Sequence, residues 1–307
     1  MATLYTHQEQ NIRKTWLLMS IFLIILIFIG FIFSRIYDNP SILYFFVIFS
    51  VGMNIISYWY SDKIALSLAK ARPATREKYF DFYTIVENLA ITAGLPMPKI
   101  YIIEDSAPNA FATGRNKNHA VIAVTTGLLM TLNKNELEGV VAHEMSHIGN
   151  NDMLLMTVAV VLVGMVSIIS DMLIRMSFFG GGRDNDREGG NAIMLIVGLL
   201  AAILAPIAAT LLQLAISRKR EFLADASASL LTRYPEGLAS ALEKISAYGR
   251  PMKVQSSAIS HLYISSPSGS GKFAKPASLS QGGKISNLFL THPPIEERVK
   301  RLRSSLE

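Results

Sequence analysis

Residues 136–152 read ELEGVVAHEMSHIGNND, and the five residues His143-Glu144-Met145-Ser146-His147 inside that stretch organise the rest of the chain. Two histidines four positions apart on a helix share one face, one turn above the other. One tetrahedral metal can then take a ring nitrogen from each, while Glu144, beside the first, reaches a water held there rather than the metal itself. The run suits a helix. Asn133 is a natural N-cap with Glu136 three residues on, the segment contains no proline, and Gly149 with the two asparagines after it marks an end or a bend. Only 6 histidines occur in 307 residues, so this spacing seldom arises by chance, although two ordinary histidines and a surface glutamate would read the same way.

Composition sets the class. Half of the residues are hydrophobic and 17% are charged, an apolar balance that points to membrane spans. There is no cysteine, which excludes disulfides, thiolate zinc sites and cysteine nucleophiles, so any zinc must use histidine and carboxylate. The net charge of +6 sits beside apolar stretches and is read as lipid contact and topology; no nucleic-acid partner is expected.

Thr15 to Ser34 is twenty residues without a charge, about 30 Å as a helix and too long for a cleaved signal. Asn39 to Ser61 is a second uncharged stretch, ending in Tyr58-Trp59-Tyr60. Arg13 and Lys14 precede the pair and Lys63, Lys70, Arg72, Arg76 and Lys78 follow it, which puts both ends of this hairpin in the cytoplasm. Thr75 to Ala93 is expected as an amphipathic helix with Phe80, Tyr83 and Val86 on its core face and Gly94 as its stop. Lys99–Ile103, Asn109–Gly114 and Ala120–Thr126 read as short strands of a small sheet. Met153–Ser170 and Gly189–Ser217 are further uncharged runs, either a second pair of spans or helices buried in the protein. Helices are expected over Arg220–Leu231 and Pro235–Tyr248, and Ser265–Gly283 reads as a loop whose Gly269-Ser270-Gly271-Lys272 lacks the spacing of a phosphate loop.

A catalytic zinc needs a third protein ligand and an open position. A third histidine six residues after His147 is absent, since position 153 is methionine, and His7, His119, His261 and His292 are scattered. Glu221-Phe222-Leu223-Ala224-Asp225 supplies a carboxylate instead, with Glu221 as ligand and Asp225, one turn on, accepting the other ring N–H of His143. The competing reading is an exposed acidic pair beside Arg218-Lys219-Arg220. Two apolar stretches separate His147 from Glu221, so the chain returns to the side it left.

With His143-Glu144-x-x-His147, Glu221-x-x-x-Asp225 and the apolar spans together, the chain resembles the HtpX family of membrane-bound zinc metalloproteases. Asn109-Ala110-Phe111-Ala112-Thr113-Gly114, Val124-Thr125-Thr126-Gly127 and Thr291-His292-Pro293-Pro294 followed by Arg298 carry the resemblance over nearly the whole length. It implies an α+β, mainly helical integral membrane protein of the plasma membrane, multi-pass, with a small-sheet gluzincin-type domain in the cytoplasm and one Zn2+ per chain. It also implies quality control and stress response: cleavage of misfolded or damaged membrane proteins, often with self-cleavage. Four segments follow: an N-terminal hairpin at 1–61, catalytic parts at 62–152 and 218–307, and an apolar helix pair at 153–217.

In that frame His143, His147 and Glu221 hold the metal and Glu144 is the base. Asn109 and Ala110, on an edge strand, are expected to pair with substrate backbone, a role carried over from similar gluzincins. His292 either donates to the oxyanion or helps position substrate, or instead caps a helix over Ile295–Leu302. Arg298 either pairs with an active-site carboxylate, helping to bind substrate, or lies on a solvated face. The rivals are a prenyl-protein endopeptidase, which encloses its site in more spans, and a non-enzymatic metal-binding scaffold, for which Glu144 would be superfluous.

Overall fold

The computed structural model describes residues 4–179, 217–253, 259–267 and 293–304. His292, the Arg183–Glu188 turn, nearly all of Gly189–Ser217 and most of Ser265–Gly283 lie outside those residues. Two long helices open the chain, α1 (Leu4–Ile36) and α2 (Pro40–Leu68). Among the described residues, these are the two helices long and apolar enough to cross a membrane. Only 33% and 17% of their most apolar stretches are buried inside the protein, so Ile24, Phe28, Phe31, Phe45 and Ile48 are left facing outward, as lipid contact requires. Trp16 and Tyr58 stack near one end of the pair, 6.0 Å between ring centres.

The chain then builds a small mixed sheet and packs helices on it. The strands are β1 (Arg72–Pro73), β2 (Lys99–Ile103), β3 (Ala110–Thr113) and β4 (Val121–Thr125). They lie in the order β1-β2-β4-β3, with β2 and β4 parallel and both outer strands antiparallel to their neighbours. The three expected strands are present; β1, two residues long, is too short to leave a pattern. Helix α3 (Phe80–Ala93) begins five residues later than its amphipathic pattern suggested. Phe80 is exposed, and Phe82, Ile85, Val86 and Leu89 form the buried face, because Thr75–Tyr79 closes only a turn, Tyr79 N–H donating to the Thr75 carbonyl. Gly94 stops the helix in a left-handed conformation, φ 64°.

The short helix α4 (Thr126–Thr131) leads to α5 (Lys134–Gly149), which carries the histidines. Its N-terminus is a full capping box. Asn133 Oδ1 accepts from Glu136 N–H at 3.0 Å, and the Asn133 N–H donates back to Glu136 Oε2 at 2.9 Å. After Asn150 and Asn151 the chain bends by 83° into α6 (Asp152–Phe179). Unlike α1 and α2, the first turns of α6 are buried nearly all round, from Met153 to Leu162. Three more helices complete the described chain: α7 (Arg218–Thr232), α8 (Pro235–Ala247) and α9 (Ile295–Ser304).

The chain divides into two compact units. One comprises residues 1–12, 60–157 and 216–307, the other 13–59 and 158–215. In the first, Val86, Leu89, Ile122, Val124, Val141, Met145, Leu238 and Leu242 belong to one apolar core between the sheet and the helices. Helix α5 meets α8 backbone to backbone there. A Cβ on Gly139 would come within 2.6 Å of the Leu238 nitrogen, and one on Gly237 within 2.6 Å of the Asn135 carbonyl oxygen. Glu136 ties the same contact from the side, accepting from Ser240 Oγ at 2.7 Å and Lys244 Nζ at 2.8 Å.

Candidate metal centre

The fold brings His143, His147 and Glu221 together from α5 and α7, all three buried, with one ligand atom of each within 4.8 Å of the others. The two Nε2 atoms stand 3.2 Å apart, and Glu221 oxygens lie 3.8 Å from His143 Nε2 and 3.6 Å from His147 Nε2. A tetrahedron with bonds of about 2.0–2.1 Å has edges of about 3.3 Å, so this triangle fits one zinc-sized ion.

Each imidazole is aimed by a carboxylate. Asp225 Oδ1 takes His143 Nδ1 at 2.9 Å, and Asp152 Oδ2 takes His147 Nδ1 at 3.1 Å. With both Nδ1 atoms donating, both Nε2 lone pairs point at each other across 3.2 Å. That arrangement is repulsive unless a proton or a cation lies between them. Without a metal the proton settles on His147. Burial disfavours its charge, yet donation to Asp152 and the charges of Glu221 and Glu144 outweigh burial and push its pKa up to about 9. His143 is held neutral, its pKa lowered by burial and by the Arg298 guanidinium.

The charge balance suits a divalent ion. Around the two rings stand four carboxylates (Glu144, Glu221, Asp152 and Asp225), all buried, against two guanidiniums, Arg298 and Arg220. With Glu144 ionised and both rings neutral, the excess is two negative charges, which a divalent cation cancels. Arg298 is fully buried. It donates to Asp225 from Nε at 2.8 Å and from Nη2 at 2.6 Å, and its Nη1 lies 3.6 Å from Glu221. Arg298 thus lies against two buried carboxylates and not on a solvated face; at 0% exposure its guanidinium offers no surface to a substrate. Burial would raise the Asp225 pKa, but the Arg298 charge and the His143 bond overcome it and lower it to about 2.

Glu144 is buried beside the ligands. Loss of water raises its pKa to about 7, with the Glu221 charge adding to the rise, while His147 and a hydrogen bond from the Ala112 N–H work against it. Ala110 opens the outer strand β3 and Asn109 directly precedes it, but their outward groups are taken. The Ala110 carbonyl accepts from Ile264 N–H at 2.9 Å. The Asn109 amide brackets Ser265, donating to its carbonyl at 2.9 Å and accepting from its N–H at 3.3 Å. Behind them Tyr263 packs edge-on against Phe111, 5.1 Å between ring centres.

Sequence reasoning missed Asp152. One signal was available: once Asp225 is assigned to His143, His147 still needs an acceptor, and Asp152 is the sole acid other than Glu144 in residues 139–170.

Comparison with known proteins agrees with this geometry. The signature of Peptidase family M48 matches residues 77–306. The chain is 47% identical over 307 residues to a protease HtpX homolog of Thermoanaerobacter pseudethanolicus, covering 98% of both chains. It is 46% identical to that of Caldanaerobacter subterraneus subsp. tengcongensis, with the same coverage, and 43% identical over 300 residues to that of Tropheryma whipplei, again with 98% of both covered. Among solved structures, the crystal structure of S. mikatae Ste24p superposes with a TM-score of 0.50 at 20% identity, over 89% of this chain and 61% of that one, a likeness of fold. With a buried His–Glu cluster, apolar helices of membrane-crossing length and these relatives, the chain belongs to peptidase family M48, as an HtpX-like membrane metalloprotease.

Proposed function

We propose that the chain is a zinc endopeptidase that cleaves misfolded or damaged membrane proteins at the cytoplasmic face of a plasma membrane. The observation that carries the chemistry is the closure of His143, His147 and Glu221 around one point, with Glu144 buried beside it. Zinc held by those three would supply a Lewis acid that polarises a peptide carbonyl and lowers the pKa of a water.

The chain's own groups do the rest. Glu144 takes the proton of the attacking water and returns it to the leaving amine, and a pKa near 7 suits both transfers. The Ala112 N–H fixes that carboxylate. Asp225 and Asp152 hold the ligand rings, and Arg298 offsets the charge of Asp225 and Glu221. An extended substrate is taken up along β3 at Asn109 and Ala110, in place of the Ile264–Ser265 backbone. The cytoplasmic orientation is supported by Arg13 and Lys14 before the hairpin and by Lys63, Lys70 and Arg72 after it. The HtpX resemblance supports the quality-control role and self-cleavage. His292, three residues before Ile295 in the sequence, is kept as an oxyanion donor or a positioning group.

The test is proteolysis of casein by full-length protein purified in detergent with chelator, then given zinc. Cleavage at internal bonds, together with slow shortening of the enzyme itself, supports the proposal. Cleavage of a prenylated peptide but not of casein would replace it with the narrower prenyl-protein peptidase. No hydrolysis of either by zinc-loaded protein would leave a metal-binding scaffold.

A further inference from the structure

The corner between α5 and α6 is clasped from far away in sequence. Helix α5 ends at Gly149, Asn151 takes a left-handed conformation at φ 56°, and α6 leaves at 83°. Gln8 Nε2 donates to the Gly149 carbonyl at 2.7 Å. Asn11, three residues on and therefore on the same face of α1, donates from Nδ2 to the Asn150 carbonyl at 3.2 Å and to Asp152 Oδ1 at 2.6 Å. The second oxygen of Asp152 is the one that takes His147 Nδ1. Asn11 is 5% exposed and Asp152 1%, so water does not compete for these bonds.

We infer that Asn11 is a positioning residue of the metal centre: through Asp152 it fixes the ring of His147, which makes the polar first turns of α1 part of the catalytic machinery. The inference rests on His147 being a metal ligand.

Asp152 opens α6, where a carboxylate is free to turn toward its own helix N-terminus or toward Arg220, whose Nε lies 3.8 Å from Oδ1. The Asn11 amide occupies Oδ1 and leaves Oδ2 for the imidazole. The same amide holds the Asn150 carbonyl, so the corner and the carboxylate are set by one side chain. Arg220 Nη1 reaches Asn11 Oδ1 at 3.5 Å and directly precedes Glu221, so the node borders the third ligand as well. Helix α1 continues from Asn11 into a stretch long and apolar enough to cross a membrane, and the metal centre is thereby tied to the polar first turns of that helix.

The test is the zinc dissociation constant of full-length protein, by chelator competition, in the parent, Asn11→Ala, Asn11→Ser and Asp152→Asn. Loss of an outer-shell partner weakens metal binding by roughly 10–100-fold, and Asp152→Asn should show this. Asn11→Ala should weaken zinc about 10-fold, with Asn11→Ser, which keeps a donor, between it and the parent. The double variant Asn11→Ala/Asp152→Asn should bind zinc no more weakly than Asp152→Asn alone, because both act along one chain of contacts. A merely structural role would lower the melting temperature of the metal-free protein and leave the dissociation constant in place. Zinc affinity of Asn11→Ala within twofold of the parent, or a fully additive double variant, overturns the inference. Should Asn11→Ala not fold, Asn11→Leu, close to the amide in size and without a donor, decides by the same twofold criterion. A parent that binds no zinc would instead remove the metal-centre reading beneath it.

Discussion

Arg298 and Asp225 are 73 residues apart and meet in a two-pronged ion pair sealed from solvent, at 2.6 and 2.8 Å, directly behind His143. The pair joins α9 to α7, and its carboxylate also fixes the first ligand ring. Breaking a buried pair by removing one partner strands a charge, which costs about 3–5 kcal/mol. Arg298→Met should therefore lower stability by that order in denaturant unfolding. The double variant Arg298→Met/Asp225→Leu should recover much of the stability while zinc affinity stays weakened, since Asp225 no longer holds His143. Recovery of zinc affinity in the double variant would show that the pair serves packing alone.

The metal-free protein should lose stability as pH rises. The folded chain keeps the His147 proton up to about pH 9, whereas the unfolded chain releases it near the ordinary 6.5. The stabilisation from that proton is complete below 6.5 and gone above about 9. Glu144 acts in the same direction. Its folded pKa of about 7 lies above the ordinary 4.5, so ionisation favours the unfolded chain from 4.5 upward. His143, whose folded pKa is lowered, acts the other way below the ordinary 6.5 and offsets Glu144 there. Melting of chelated protein should therefore fall mainly between about pH 6.5 and 9, and added zinc, which replaces the His147 proton, should reverse that fall. A flat profile would mean that no proton is shared in the cluster.

The contact of α5 with α8 depends on the absence of two side chains. Gly139→Ala would push a methyl into the Leu238 backbone, and backbone yields little. The expected cost is about 1–3 kcal/mol, read by chemical denaturation. Zinc affinity should also weaken, because His143 stands one turn further along the same helix. Unchanged affinity alongside lowered stability would show that the ligands tolerate movement of α5.

Much of this was legible in the sequence because it was local. The Asn133–Glu136 capping box, the His143–His147 spacing and the Gly94 stop are each decided by residues within four positions, and the helix and strand patterns follow from them. Glu221 and Asp225 needed an argument over distance, and the one-turn spacing with a return to the same side supplied it. What stayed out of reach depends on tertiary placement. Nothing in the polar lead of α1 shows that Asn11 will meet Asp152, 141 residues away. Arg298 carried two readings until burial separated them, and the Ile264 contact with Ala110 joins segments with no shared pattern. The onset of α3 departs from its apolar pattern because Phe80 continues the period while facing outward.

The central claim, that a buried His–His–Glu site performs hydrolysis with Glu144 as its base, is tested most directly by measuring bound zinc and casein turnover together in the parent, Glu144→Gln and Glu221→Gln. One zinc per parent chain is expected, with turnover that follows it. Glu144→Gln should keep its zinc and lose roughly 10²–10⁴-fold in kcat, and Glu221→Gln should lose both. Turnover near the parent's level in zinc-loaded Glu144→Gln, or full zinc occupancy with normal turnover in Glu221→Gln, would contradict it.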